Sequence, residues 1–203
     1  MDNKALQKIG YGLYILTARD GEKDNGCIIN TLMQVTSNPA TVVIGVNKQN
    51  FTRDMIAKTG HFNVSMLTTA VPFEVFRHFG FQSGREVDKF AGCEDASRAA
   101  NGILYIPKYT NAYISGKVTA ATEFSTHTLF AAEVTDAVVL SDGESISYSY
   151  YFANVKPKPK PLTRTGWRCN ICGYVYEGEA LPPDFVCPIC KHGAADFSRI
   201  EIE

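Results

Sequence analysis

The chain has 203 residues, enough for one domain of ordinary size and a second small one. It is 45% hydrophobic and 20% charged with a formal net charge of −1, a globular composition that offers no domain-wide basic field for nucleic acid. No apolar run is long enough to span a bilayer, and Met1-Asp2-Asn3-Lys4 lacks the apolar stretch of a signal peptide, so a cytoplasmic location away from membranes is expected. In that compartment the six cysteines are read as ligands or free thiols and not as disulfides. Cys27 and Cys93 stand alone and read as buried or half-buried thiols.

In chain order, Tyr11 to Arg19 is rich in aromatic and β-branched residues and predicts a strand, with Asp20-Gly21 as the turn after it. Asn25-Gly26 gives a second turn signal before a strand over Cys27 to Thr36. Pro39 separates off Thr41 to Val46, a short apolar run suited to a core strand. A helix is expected from about Thr52, as N-cap, to Gly60, and another from Val71-Pro72 to just before Gly80. His61 to Leu67, Asn111 to Ala121, Leu129 to Leu140 and Ser145 to Phe152 predict further strands. Many closely spaced strands with few helices point to a mainly β barrel or sandwich. Gly10-Tyr11-Gly12 is not a dinucleotide fingerprint, because position 15 is Ile and the glycines precede a strand.

Lys156-Pro157-Lys158-Pro159-Lys160-Pro161 reads as a semi-stiff extended spacer. It divides the chain into a first domain over 1–155, a Lys/Pro linker over 156–163 and a C-terminal domain over 164–203. Residues 1–155 hold 13 Lys and Arg against 15 Asp and Glu, the linker holds three lysines, and 164–203 holds 4 against 6. A short basic spacer thus joins two mildly acidic modules.

The C-terminal segment contains Cys169-x2-Cys172 and Cys187-x2-Cys190. Two such pairs present four thiolates to one tetrahedral metal, and the spacing alone allows zinc or iron. Gly173 suits the sharp bend after the first pair, and Pro188 stiffens the second. Trp167, Tyr174, Tyr176, Phe185 and Phe197 supply what core so small a module can have, the metal providing the rest. The pattern Trp167-x-Cys169-x2-Cys172-Gly173-Tyr174-x-Tyr176, Leu181-Pro182-Pro183-Asp184-Phe185-x-Cys187-Pro188-x-Cys190 and Phe197 resembles rubredoxin over about residues 165–203. That resemblance implies one iron on Cys169, Cys172, Cys187 and Cys190, cycling between ferric and ferrous. The loop of 14 residues between the pairs, and Lys191 where glycine commonly follows, depart from free-standing rubredoxins. Both keep zinc open as a substitute.

Three polar stretches mark the first domain. Asn30-Thr31-x2-Gln34-x-Thr36 presents hydroxyls and carboxamides suited to a heterocycle edge or a phosphate, or else an edge strand with a polar face. Asn47-Lys48-x-Asn50-x-Thr52 runs into a helix start, where free amides suit a phosphate or where Asn50 or Thr52 simply caps. Phe79-Gly80-x2-Ser83-Gly84-x3-Asp88-Lys89-Phe90 is a loop whose Ser83 and Lys89 suit an anion. In this order the three resemble the flavin-reductase-like, FMN-binding split barrels, and His127 to Val134 resembles that family's late His-bearing strand.

The resemblance covers nearly all of residues 1–155 and implies a six-stranded split β-barrel, a homodimer, and FMN reduced by NAD(P)H. It assigns FMN binding to Thr31, Gln34, Thr36, Asn47, Lys48, Asn50, Thr52, Ser83 and Lys89. His127 would orient the nicotinamide or be a wall residue of the barrel. Together the two modules resemble the high-molecular-weight rubredoxins. They imply an NAD(P)H:rubredoxin oxidoreductase, with electrons passing through FMN to an iron held by the four cysteines and on to a redox partner, a flavodiiron oxygen or nitric oxide reductase by analogy. The rival readings are a flavin reductase releasing reduced FMN, its tail a structural zinc ribbon, and a non-enzymatic flavin-binding sensor.

Overall fold

A computed structural model describes residues 2–157 and 164–202. Contacts divide the chain between Pro157 and Lys158, and most of the expected linker lies outside the described residues.

The first module is built on a hairpin of β1 (Tyr14–Asp20) and β2 (Lys23–Ile29). Its turn falls at Gly21, which takes φ +59, a conformation glycine adopts without a Cβ clash. Asn25-Gly26 is therefore not a turn. It lies within β2, paired with Ala18 and Thr17. The strand expected over Cys27 to Thr36 is two strands, because the chain breaks at Asn30-Thr31 before β3 (Leu32–Ser37). Next come β4 (Ala40–Asn47), α1 (Phe51–Thr59), β5 (His61–Leu67) and α2 (Phe73–Gly80). The short β6 (Ser97–Arg98) and β7 (Leu104–Tyr105) pair with each other, and the long β8 (Thr110–Glu123) and β9 (His127–Val139) form the widest antiparallel ladder.

Among the described residues, seven strands make one sheet in the order β2-β1-β5-β8-β9-β4-β3. Its two edge strands, β2 and β3, are consecutive in the chain with only Asn30 and Thr31 between them. Two residues span less than about 10 Å even when extended, so the sheet must curl until its edges meet. Taken as one bent strand, β2 and β3 make a barrel of six, as expected for a split barrel. Gly45 of β4 makes the corner possible. A Cβ there would lie 3.2 Å from the Thr31 methyl, and the Gly45 amide donates to the Thr31 carbonyl at 3.3 Å.

The strand period of two sends neighbouring residues to opposite faces. On β1, Leu16 joins Ile44, Val46, Phe62, Val64 and Phe130 inside the barrel, with Met55 and Ile56 of α1 packed onto them. Ile15 points the other way, into a second cluster with Leu67, Phe76, Phe79, Ile146 and Tyr151. Each such buried side chain contributes about 1.5–3 kcal/mol of transfer free energy. Helix α2 is thereby held on the outside of the barrel.

The strand expected over Ser145 to Phe152 does not form. Ser145 and Ser147 make isolated bridges to Thr68 and Gly12. The Ser147 hydroxyl then accepts from the Tyr150 amide at 3.1 Å and starts a helical turn, α3 (Tyr148–Tyr150), which runs into a π-helical turn over Tyr151–Val155. A serine cap thus overrides the β propensity of the aromatic run.

The second module is a three-stranded sheet in the order β11-β10-β12, from β10 (Arg164–Cys169), β11 (Val175–Glu177) and β12 (Phe197–Ile202). Its core is Cys169, Cys187 and Phe197 with Trp167, Tyr174, Leu181 and Phe185 around them. Phe185 is its centre, 4.7 Å from the Tyr176 ring and 5.4 Å, edge to face, from Phe197.

Candidate functional site

In the barrel module a cleft lies where β2, the start of α1 and the loop after α2 converge. One end, a cavity of about 230 Å³, is bordered by Asn25, Gln49, Asn50, Thr52, Ser83 and Lys89. Asn50 is the N-cap of α1, and its side chain makes no capping bond. The middle, about 210 Å³, is bordered by Asn30, Asn47, Asn50, His127 and Tyr148. The third part, about 280 Å³, is aromatic, with Phe76, Phe81, Tyr148, Tyr151 and Phe152. The three are neighbours with lining residues in common: Asn50 borders the first two, Tyr148 the last two, and Phe81 the first and third. The cleft is polar at one end and aromatic at the other.

Asn25 holds the polar end together. It is 2% exposed and its Nδ2 donates to Thr52 Oγ1 at 2.9 Å. A Cβ on Gly84 would lie 2.1 Å from Asn25 Oδ1, so only glycine lets the loop after α2 sit this close. Lys89 is buried, and its ammonium donates to the carbonyls of Gly26 and Phe79, each at 2.8 Å. It therefore ties the loop to β2 and α2 and leaves a positive charge beneath the cleft floor. Burial lowers its pKa from the usual lysine value, with the nearby Cys27 raising it in part. Burial pushes the Cys27 thiol up to about 11, which makes it an inert wall residue.

The expected flavin residues divide. Asn50, Thr52, Ser83 and Lys89 come together at the polar end, and Asn47 and His127 meet in the middle, where they are direct partners across β4 and β9. His127 Nδ1 lies 2.8 Å from Thr126 Oγ1. Lys48 turns to Glu123, with Nζ 2.8 Å from Oε2. Glu123 also takes Arg53 at 2.6 Å and the Thr128 hydroxyl at 3.0 Å. The Lys48 hydrogen bond, then those of Thr128 and Arg53, outweigh the opposing desolvation and bring the Glu123 carboxyl down to about 2.

Thr31 sits at the barrel corner. Gln34 and Thr36 lie on exposed β3, where Gln34 Nε2 donates to the Thr36 carbonyl at 3.2 Å and the Thr36 hydroxyl donates to Pro39. Gln34 borders a separate apolar cavity of about 410 Å³ with Leu32, Val42, Met66, Ile114 and Ile146. Sequence reasoning missed Asn25 and Tyr148 as cleft residues, whereas Asn30 and Phe81 lay within the polar stretches it marked without being assigned to the flavin. The close Asn25–Gly84 approach was signalled only by the glycine.

In the second module the four thiols of Cys169, Cys172, Cys187 and Cys190 lie within 4.8 Å of one another. The Cys169–Cys190 and Cys172–Cys187 Sγ separations are 3.5 Å. That is far beyond a disulfide and near the roughly 3.8 Å edge of a tetrahedron with metal–sulfur bonds of about 2.3 Å. The two knuckles repeat each other. Cys169 N donates to Tyr174 O and Gly173 N to Cys169 O, while Cys187 N donates to His192 O and Lys191 N to Cys187 O. Burial opposes ionisation of Cys187, but the amides of Cys190 and Ile189 and the neighbouring thiols outweigh it and bring it down to about 6. The donor set and its amide bonds therefore suit a metal held by four thiolates.

Residues 6–158 match the flavin reductase like domain, and residues 167–198 the rubrerythrin, rubredoxin-like domain. The chain belongs to the flavin-reductase-like family, in the two-module form of the high-molecular-weight rubredoxins. It is a flavin-dependent oxidoreductase. The high molecular weight rubredoxin of Moorella thermoacetica is 37% identical over 98% of this chain and 100% of its own length. The ferric-chelate reductase (NAD(P)H) of Archaeoglobus fulgidus is 38% identical over 81% of this chain and 96% of its own. The NADH:FAD oxidoreductase of Streptomyces globisporus C-1027, solved with NAD and FAD fragments, has the same fold, with TM-score 0.64 and 23% identity over 79% of this chain and 94% of its own.

Proposed function

We propose that the protein carries electrons from NAD(P)H through FMN to an iron held by four cysteines and then to a redox protein. The observation that carries this reading is one chain holding both a cleft with a polar and an aromatic end and a preformed tetrathiolate centre. A bound flavin accepts two electrons at once and releases them singly, and a thiolate-held iron takes one at a time.

At the polar end, the first amides of α1 with Asn50, Thr52 and Ser83 bind the FMN phosphate, and the Lys89 charge beneath them adds to the attraction. Asn30, Asn47 and Asn50 would offer donors and acceptors to the polar edge of the ring system, and Tyr148 lines the same cavity. His127 faces the same space and orients the nicotinamide. Phe81 and Phe152, 65% and 46% exposed, border the aromatic end of the cleft.

In the second module the knuckle amides donate to the thiolates, spreading ligand charge and favouring the reduced metal. The aromatic packing around Phe185 and the rubredoxin-like match favour iron as the resident metal, with zinc as a substitute.

Strand β3 exposes Met33 and Val35 while its neighbours Gln34 and Thr36 are exposed too, a two-sided face that self-association as a homodimer would cover. The acceptor is a flavodiiron-type reductase, carried over from the family resemblance.

An anaerobic titration with NADH tests the reading. The flavin band is expected to bleach first and the ferric-thiolate bands to follow, and Cys169→Ser is expected to keep flavin reduction and lose delivery to the acceptor. Full delivery by that variant would sink the proposal.

A further inference from the structure

The two knuckles are alike in backbone but not in sequence. Each places the residue after its second cysteine in the left-handed region: Gly173 at φ +78 and Lys191 at φ +62. Glycine accepts that conformation freely, whereas a side chain there costs about 1–2 kcal/mol. The same hydrogen bond, from this residue's amide to the first cysteine's carbonyl, forms in both, at 2.9 and 3.0 Å. The backbone therefore gains nothing from lysine at 191. A strained residue retained beside a reactive centre points to its side chain.

The charges around the centre agree. Residues 168–174 and 186–193, which form the knuckles, contain Arg168 and Lys191 and no Asp or Glu. The six acids of residues 164–203 fall outside these two stretches of sequence, and Asp196 meets the first knuckle through its backbone, its carbonyl accepting from the Asn170 amide at 2.8 Å. Arg168 lies over the first knuckle, its guanidinium nitrogens 3.7 and 3.9 Å from where a Cβ on Gly173 would stand. Each knuckle thus has its own cation. The cysteines themselves are unequal: Cys169 and Cys187 are buried, Cys190 is half-buried and Cys172 is exposed. Ile171 and Ile189, at matching positions in the two knuckles, are 57% and 66% exposed.

We propose that this face, apolar at Ile171 and Ile189 and cationic at Arg168 and Lys191, docks an electron acceptor with an anionic contact surface, and that Lys191 is the residue that selects it. The inference rests on the electron-transfer reading above and names the charge of the partner. In the step itself the reduced centre loses one electron, the acceptor gains it, and no proton or bond is exchanged. Opposite charges bring such a partner in quickly at low salt, and the exposed isoleucines provide the contact. The opposite partner, with a cationic surface, is disfavoured by the same field.

The experiment uses the full iron-loaded protein, reduced with dithionite until the ferric-thiolate absorbance has bleached. No nicotinamide turnover is needed, so failure of NADH to reduce the flavin would overturn the proposed function and leave this test intact. Reoxidation of the thiolate centre is followed in stopped flow with two probes, ferricyanide and hexaamminecobalt(III). The ratio of the two rates cancels, to first order, any change in driving force and reports the local field.

In Lys191→Gln and Lys191→Gly that ratio is expected to fall at least threefold at low ionic strength, and the difference to shrink as salt rises. Lys191→Arg is expected to retain the ratio. The midpoint potential, read by spectroelectrochemistry, is expected to fall in Lys191→Gln and Lys191→Gly and to hold in Lys191→Arg. Lys191→Gly is also expected to melt higher than Lys191→Gln, which separates backbone strain from charge. A ratio unchanged in Lys191→Gln, or a Lys191→Arg that behaves like Lys191→Gln, overturns the proposal. Should these variants fail to hold iron, Arg168→Gln provides the same comparison, with the same fall expected and an unchanged ratio counting against it.

Discussion

Asn25 and Thr52 are joined by a hydrogen bond of 2.9 Å with both side chains buried, one on β2 and one in the first turn of α1. The bond fixes the helix start against the strand and, through the contact with Gly84, fixes the loop as well. Thr52→Val keeps the shape and removes the acceptor, leaving a buried amide unpaired at a cost of about 1–3 kcal/mol. Urea unfolding is expected to show that loss. Gly84→Ala pushes the loop away from Asn25 without touching the barrel core. Flavin affinity, followed by fluorescence quenching, is expected to weaken several-fold while far-UV circular dichroism stays the same.

The Glu123 carboxyl, brought down to about 2 by Lys48, Thr128 and Arg53, makes a pH prediction. Its folded pKa lies below the ordinary value of 4.5, so the folded state binds its proton less readily than the unfolded chain. The group's contribution is therefore present above pH 4.5 and lost as pH falls toward 2. Glu123→Gln is expected to flatten the pH dependence of the denaturation midpoint in that window. An equally steep dependence in the variant would show that other carboxylates govern it.

His127 borders the middle of the cleft opposite Asn47 and lies outside the polar end proposed for the phosphate. His127→Ala is expected to raise KM for NADH several-fold while the flavin dissociation constant stays within twofold, roughly the loss of one hydrogen bond. Steady-state kinetics and flavin titration separate the two. A parallel loss of flavin would make His127 a wall residue of the flavin site.

Trp167 is the sole tryptophan of the chain and packs in the core of the second module beside the metal-binding cysteines. Its emission reports that module alone. Stripping the metal with a chelator is expected to shift Trp167 emission to the red as the small core opens, because the module has little else to hold it. Flavin binding and the β signal of the barrel are expected to persist. An unshifted Trp167 in metal-free protein would mean that the aromatic packing suffices.

The four-cysteine centre was legible because metal chemistry fixes residue type and spacing together, and the aromatic core around Phe185 followed from its composition. Strand β5 was legible to its ends, since a short run buried at five of its seven positions, between Gly60 and the chain after Leu67, allows little else. Local signals failed where distant contacts decided. Asn25-Gly26 has the composition of a turn, yet Asn25 is held in a strand by Thr52, 27 positions away. Ser145 to Phe152 has the composition of a strand, yet the Ser147 cap turns it into helix. The nine expected flavin residues are spread over three stretches that the fold brings only partly together. Lys48 is drawn to Glu123 and Lys89 to two carbonyls, pairings that no local pattern reveals.

Asn30-Thr31 joins the two edges of the sheet, and Asn30 also borders the cleft. Edge closure needs β4 to meet β9, a pairing of Thr41 with Glu133 and of Asn47 with His127, far apart along the chain. Such long-range pairings form late in folding because loop closure must come first. The cleft thus matures with the last ladder to close, and a folding chain acquires most of its strands before it can hold a flavin. In refolding followed by two signals, flavin quenching is expected to lag the far-UV signal, making cofactor capture a reporter of barrel closure.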